Sequence, residues 1–310
     1  MAFKHLIALE HVSKEDMVSV LELAKTFKEL ILRPVKKVPT LKGKTVVNFF
    51  FEPSTRTKTS FEIAAKRLSA DVLNLAVSTS AVVKGETLLD TINTIEAMQI
   101  DMVVIRHGTS GVPEYLAKRI KSSVINAGDG MHEHPTQGLL DMFTMIEKKG
   151  KLDGKIVCIA GDVAHSRVAR SNIWGLKKMG AKIRVVGPPT LIPKDIDKLG
   201  VEVFYDLKAA LKDVDIINIL RIQLERQKKN LFPTTREYAA FYGINTEKLK
   251  YATPDVLVMH PGPMNRGLEI SPNVADGPHS VINEQVTNGV AVRMAVLYLM
   301  GGGKKDEIIN

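Results

Sequence analysis

A single cysteine, sparse aromatics and the absence of any long apolar run mark this 310-residue chain, and each scarcity excludes something. Cys158 has no second thiol to pair with, which excludes an internal disulfide and points to a reducing compartment. It lies in the apolar run Lys155-Ile156-Val157-Cys158-Ile159-Ala160, where core packing is the expected role. No apolar stretch reaches membrane-spanning length, and the opening Met-Ala-Phe-Lys-His leads into an amphipathic helix without the apolar core of a signal peptide. A cytoplasmic location with no membrane partner is expected. Neither a Gly-x-Gly-x-x-Gly fingerprint nor a Walker loop is present, since Lys84-Gly85-Glu86-Thr87 lacks the spaced upstream glycine. Dinucleotide and ATP binding have no sequence support, and no cofactor is expected. The formal charge is +9, yet its basic residues are scattered along helices, with no long Lys/Arg block and no aromatic-rich RNA signature. An acidic metabolite suits that charge better than nucleic acid.

Hydrophobic residues make up 45% of the chain, an ordinary globular share, and the length suits two domains of roughly 150 residues. Ser13-Lys14-Glu15-Asp16 reads as a capping box, followed by Met17, Val20, Leu21, Ala24, Phe27, Leu30 and Ile31 at helical spacing. Strands are predicted near 45–51, 71–76, 101–106 and 123–127, with helices near 55–69, 86–98, 112–120 and 135–149. After a turn near Gly150 the pattern restarts, with strands near 155–160, 182–187, 201–204, 215–220 and 255–260. The alternation predicts an α/β protein of two similar-sized domains, each a mainly parallel sheet flanked by helices. A last helix from Asn283 to Met300 carries Val286, Val290, Met294 and Leu297 on one face, and its return to the first domain would make that domain discontinuous. The expected division is 1–149 with 286–310, and 150–285.

The residues suited to chemistry fall at strand ends and helix starts, where open parallel sheets place ligands. Phe51-Glu52-Pro53-Ser54-Thr55-Arg56-Thr57 follows an apolar strand and opens a helix. Free first-turn N–H groups, three hydroxyls and the Arg56 guanidinium together suit a dianion such as phosphate. Alone, the motif is more often a helix cap beside an exposed arginine. Arg106 closes the next strand and could reach the same crevice. His132-Glu133-His134-Pro135-Thr136-Gln137 opens another helix, with Pro135 in the favoured first turn. Two histidines two apart can suggest a metal, but no third ligand stands at a familiar spacing, so no metal is expected and His134 reads better as a donor to a substrate carbonyl. Ser80 and Lys84 occupy a long loop before a helix, a frequent setting for function. Arg167, Arg221 and Gln223 would suit a dicarboxylate, each arginine binding a carboxylate bidentately. In His260-Pro261-Gly262-Pro263 the prolines lack N–H donors, so the turn can aim bare carbonyls at an NH₂ group.

Taken in order, Ser54-Thr55-Arg56-Thr57, Lys84-Gly85-Glu86-Thr87, His134-Pro135-Thr136-Gln137, Arg221-Ile222-Gln223 and His260-Pro261-Gly262-Pro263 resemble the catalytic chains of the aspartate carbamoyltransferase family over essentially the full length. The resemblance implies transfer of a carbamoyl group from carbamoyl phosphate to the amine of L-aspartate, in pyrimidine synthesis, with the first domain taking carbamoyl phosphate and the second aspartate. It implies that Ser54, Thr55, Arg56 and Thr57 hold the phosphate, and that Thr57, Arg106 and His134 donate to the carbonyl oxygen as it gains charge. Gln137 and the carbonyls around Pro261 and Gly262 would fix the carbamoyl NH₂. Arg167, Arg221 and Gln223, with Lys84, Gly262 and Pro263, would take aspartate. Departing phosphate can accept the amine proton, so no strong base is required, and domain closure would complete the site. In this family Ser80 and Lys84 reach into a neighbouring subunit's site, which implies a homotrimer. Regulatory chains or a dihydroorotase are further partners that the resemblance leaves open. Many relatives carry a second basic residue before that lysine, where this chain has Val83.

The sister family, ornithine carbamoyltransferase, shares the first and third motifs. Its members typically carry a His-Cys-Leu-Pro turn and an Asp-x-Trp-x-Ser-Met-Gly segment, whereas here Gly262 stands in the cysteine's place and Trp174 lies elsewhere. A basic nucleic-acid-binding protein would require a contiguous surface patch, and a catalytically silent subunit would be expected to have lost Arg56, His134 or Lys84.

Overall fold

The computed structural model describes residues 4–76, 86–223, 232 and 234–304. The first helix, α1 (Lys14–Ile31), starts where Ser13 Oγ accepts the Asp16 N–H at 3.0 Å, and its apolar stripe from Met17 to Ile31 is buried. The Asp16 carboxylate accepts from the Ser13 hydroxyl, also at 3.0 Å, so the expected reciprocal box closes on the side chain.

β1 (Thr45–Phe50), α2 (Thr55–Arg67), β2 (Asp71–Ala76), α3 (Leu88–Glu96), β3 (Met102–His107), α4 (Val112–Ala117) and β4 (Ser123–Asp129) then alternate. The four strands pair in parallel in the order β2-β1-β3-β4. Both faces of such a sheet are covered by its crossover helices, which is why β1 and β3 read as near-continuous apolar runs. Val47, Phe49, Val103 and Ile105 pack with Ile92 and Ile95 of α3 and Leu116 of α4.

α5 (Pro135–Lys149) leads to β5 (Ile156–Ala160), α6 (Arg167–Lys178), β6 (Lys182–Val186), β7 (Glu202–Phe204), α7 (Leu207–Leu211), β8 (Ile216–Ile219), α8 (Thr235–Tyr242), α9 (Thr246–Leu249), β9 (Leu257–Met259), α10 (Pro272–Ala275) and α11 (Ile282–Met300). This second sheet is also parallel, in the order β7-β6-β5-β8-β9. Cys158 lies wholly buried in its core beside Val186, Ile217 and Val258, and burial pushes its thiol up to about 12. The thiol is a packing residue.

The chain divides into two compact units, Met1–Leu140 with Thr287–Asn310, and Asp141–Val286. Both crossings therefore fall inside continuous helices, the first in α5 and the second in α11. The sequence marks the first near Gly150, which ends α5 in a left-handed conformation at φ 73°. A helix that runs on through a domain boundary carries no turn signal at that point. α11 returns to the first unit as expected: Tyr298 meets Phe27 of α1 edge-on at 5.8 Å, and Arg293 donates to Ser60 Oγ of α2 at 2.9 Å. Its predicted single apolar face is corrected. Val286 is exposed, and Ala291 to Tyr298 are buried in unbroken succession, because a helix packed on all sides has no solvent face to alternate with. Among the described residues no helix is long and apolar enough to cross a membrane.

Each unit secures the entry to its central strands by the same device. Asp101, just before β3, takes Lys44 Nζ at 2.8 Å and the Thr45 N–H at 2.9 Å, so one carboxylate ties the starts of β1 and β3. In the second unit Asp215 takes Lys155 Nζ and the Ile156 N–H, each at 2.9 Å, tying β5 to β8. Both ion pairs are half-buried, and the charge-assisted bond to a strand N–H has no substitute when the carboxylate is removed. Asp215→Ala should lower unfolding stability by about 1–2 kcal/mol, measured by urea titration, with an unchanged denaturant slope.

Candidate active site

The order of the first sheet reverses between β1 and β3, since the chain leaves β1 toward β2 on one side and comes back to β3 on the other. Loops diverging from neighbouring strands leave a crevice there, at the carboxyl ends. Phe51 donates its N–H to the Arg106 carbonyl at 2.9 Å, extending the β1–β3 ladder to the mouth of the crevice. The chain then turns at Pro53 into α2. Ser54 stands at the cap position of this helix, yet its side chain makes no capping bond. By contrast Ser13, Thr87, Ser166 and Thr234 each accept an N–H at the start of their own helices. No acidic residue lies in the first turn of α2, where Arg56 and the hydroxyls of Thr55 and Thr57 join the positive end of the helix dipole. Arg56 is exposed and Thr57 buried.

Arg106, the last residue but one of β3, stands opposite Phe50 of β1, with Glu52 Oε2 at 3.4 Å from its Nε and the Ala127 carbonyl at 3.2 Å from its Nη1. Glu52, which the sequence reading did not select, thus aligns the guanidinium across the strand ends. His107 follows; burial first of all lowers its pKa, against partial opposition from the Thr109 N–H bond and from Glu52 and Asp129. Its Nδ1 accepts the Thr109 N–H at 2.9 Å, which leaves the ring proton on Nε2. His134 and Gln137, both buried, stand at the start of α5, and the His134 carbonyl accepts the Gln137 N–H at 2.9 Å.

The two histidines of His132-Glu133-His134 do not form a ligand pair. His132 Nδ1 is bonded to Asp129 at 3.1 Å, and one ligand atom each from Glu10, His132 and Glu133 lie within 4.8 Å of one another. Glu133 is fully buried and accepts the N–H groups of Leu9 (2.9 Å) and Glu10 (3.1 Å), fastening the turn before α1 beneath the start of α5. The bond from Asp129 is the main cause that raises the His132 pKa; burial opposes it, and the charges of Asp129, Glu133 and Glu10 add to it. For Asp129 burial is the largest influence and pushes upward, but the bonds from His132, the Gly111 N–H and Asn126 together outweigh it and hold the carboxyl below its usual value.

In the second sheet the order reverses between β5 and β8. Gly161 follows β5 at φ 123°, and a Cβ there would stand 3.1 Å from the Leu220 carbonyl and 3.2 Å from the Tyr238 hydroxyl, so only glycine lets the two strand ends approach. Asp162 then accepts the His165 N–H at 3.2 Å and bonds its ring Nδ1 at 2.7 Å. Ser166 caps α6, and Arg167 is its first residue, buried. From the end of β8, Gln223 Nε2 donates to the His165 carbonyl at 3.0 Å. Asn265, from the segment after β9, donates to the Ile222 carbonyl at 3.2 Å. These two bonds tie the segment after β8, which carries Arg221 and Gln223, to the turn before Arg167 and to the segment after β9. Ser80 and Lys84 lie outside the described residues.

Two parallel-sheet units, one presenting an uncapped helix N-terminus with a guanidinium and the other an arginine after each of its two central strands, define a two-domain α/β enzyme class that handles anionic substrates. A family model described as the aspartate/ornithine carbamoyltransferase carbamoyl-P binding domain matches residues 4–147, and one described as the Asp/Orn binding domain matches residues 153–300. The chain belongs to the aspartate/ornithine carbamoyltransferase family, a family of transferases. It is 62% identical over 303 residues to an aspartate carbamoyltransferase catalytic subunit of Endomicrobium trichonymphae, covering 98% of this chain and 97% of that one. It is 61% identical over 304 residues to the catalytic subunit of Halothermothrix orenii, covering 98% and 97%. Among solved structures, ornithine carbamoyltransferase from Pyrococcus furiosus superposes with a TM-score of 0.86 at 31% identity, over 97% of each chain. Aspartate transcarbamoylase from Trypanosoma cruzi, in complex with carbamoyl phosphate and aspartate, superposes at 0.83 with 29% identity over 95% of this chain and 94% of that one.

The His132 cluster has a pH signature. A raised folded-state pKa means that the contribution of His132 to stability is complete below its unfolded value of about 6.5 and is lost as pH rises through the folded value. The stability difference between wild type and His132→Gln, from urea titrations between pH 5.5 and 9, should shrink on the alkaline side.

Proposed function

We propose that this chain is the catalytic chain of an aspartate carbamoyltransferase, which transfers the carbamoyl group of carbamoyl phosphate to the amine of L-aspartate to give N-carbamoyl-L-aspartate and phosphate. The observation that carries the aspartate assignment is the second switch point, where Arg167 heads α6 and the Arg221–Gln223 segment is bonded to the turn before it. Two guanidiniums suit two carboxylates, and Gly262 offers no thiol for an ornithine amine. The first unit, through Ser54, Thr55, Arg56 and Thr57, holds the phosphate. Thr57, Arg106 and His134 donate to the carbonyl oxygen as negative charge develops, and Gln137 with the Pro261 and Gly262 carbonyls orients the NH₂ group. The second unit takes aspartate through Arg167, Arg221, Gln223 and Pro263. Expulsion of phosphate carries off the amine proton, so the residues have to position and stabilise charge, and none has to act as a strong base. On this reading the chain works in the cytoplasm in pyrimidine synthesis, as a homotrimer in which Ser80 and Lys84 serve the neighbouring subunit's site.

With carbamoyl phosphate, L-aspartate should be carbamoylated and L-ornithine should not. Arg56→Ala should lower kcat/KM by about 10²–10³-fold. Arg221→Ala should raise the KM for aspartate by about 10–100-fold, in line with loss of a charge-assisted pair, with a smaller effect on the KM for carbamoyl phosphate. Turnover with ornithine would transfer the chain to the sister branch, and no product with either amine would remove the catalytic reading.

A further inference from the structure

Six buried polar side chains of the second unit form one connected network that the reaction as described does not use. Asp141 of α5 is fully buried, and its carboxylate accepts three amides: Gln285 Nε2 of α11 on Oδ1 at 2.8 Å, and on Oδ2 Asn172 Nδ2 of α6 at 2.8 Å and Asn218 Nδ2 of β8 at 3.3 Å. Gln285 then accepts the His260 N–H on Oε1 at 2.9 Å. The amide of Gln285 has a single workable orientation, because reversing it would set its oxygen against the Asp141 carboxylate and its NH₂ against an N–H. His260 follows β9 and is itself buried. Its Nδ1 accepts the Gly262 N–H at 2.8 Å, so the ring proton is on Nε2 and is directed at Glu269 Oε1, 3.2 Å away. The order of bonds runs Asp141, Gln285, His260, Gly262, and it ends on the turn whose carbonyls face substrate on the reading given above.

We infer that Gln285, oriented by Asp141, is a positioning residue for the His260-Pro261-Gly262-Pro263 turn. This rests on the assignment of that turn to substrate. Two prolines deprive the turn of N–H donors, so its register depends on the few bonds that remain, and the His260 N–H is the last before the prolines begin. Asp141 and Gln285 also flank the two places where the chain passes between units, Leu140/Asp141 and Val286/Thr287. The bond between them therefore joins both crossings to the turn.

Gln285→Met keeps the length and removes both bonds. Its kcat/KM for aspartate should fall about 10–100-fold, the scale of small misplacements at a reacting centre, while the Ki of inorganic phosphate stays within twofold of wild type, because the Ser54–Thr57 segment belongs to the other unit. Gln285→Glu places two carboxylates face to face and should lose activity. The transposed pair Asp141→Asn with Gln285→Glu restores a donor facing a carboxylate and should recover at least tenfold over Gln285→Glu. Thermal melts identify which variants fold. A folded Gln285→Met with kcat/KM within threefold of wild type would overturn the inference, as would a folded transposed pair without recovery. If Gln285→Met and the transposed pair both fail to fold while wild type is active, the network is structural and the inference is likewise overturned. A wild type that does not carbamoylate aspartate would count against the functional assignment instead.

Discussion

Parallel pairing is the constraint from which the rest of this molecule follows. A parallel strand cannot be reached by a tight turn, so the strands are joined by crossovers, most of them through an α-helix, and each sheet here grows outward from its first strand in two directions. Where the direction changes, adjacent loops part. In the first unit that place lies between β1 and β3, and in the second between β5 and β8. The motif residues of each unit follow those two strands, or the strand beside them. The substrate chemistry thus rests on backbone topology before any side chain is considered.

The two ends of each sheet are treated differently. At the amino ends, Asp101 and Asp215 neutralise a lysine and occupy a strand N–H, closing the sheet with local bonds. At the carboxyl ends, Ser54 leaves the first turn of α2 without a side-chain cap in the first unit, where Arg106 lies near the end of β3, and in the second unit Arg167 and Arg221 follow β5 and β8. At the carboxyl edge of the first unit, Glu52 and Asp129 are committed to Arg106 and to His132, where they align groups and balance charge.

The candidate site was legible to the extent that its parts are contiguous. Ser54-Thr55-Arg56-Thr57 could be read because an apolar strand, a proline and a helix start stand side by side, and Arg221-Ile222-Gln223 because it follows a strand directly. The aligning residues were not legible. Glu133 bonds a turn 124 positions away, and Gln285 bonds a carboxylate 144 positions away. Periodicity and spacing hold no information over such separations. The mistaken stripe on α11 has a related cause, since a pattern of one face per helix presumes that the other face meets water, and Ala291–Tyr298 meet protein on every side.

What the amino-acid sequence by itself determined is the set of local states and the inventory of reacting groups. β-Branched runs became strands, Ser and Thr at helix starts became caps, and hydroxyls and guanidiniums were placed at strand ends, all through interactions within a few residues of each other. Only the tertiary structure decided how those groups are aimed. Which carboxylate faces Arg106, which amide orients the His260 turn and where the units divide depend on packing and hydrogen bonds between distant elements, and a buried polar group has its partner chosen by the fold that encloses it.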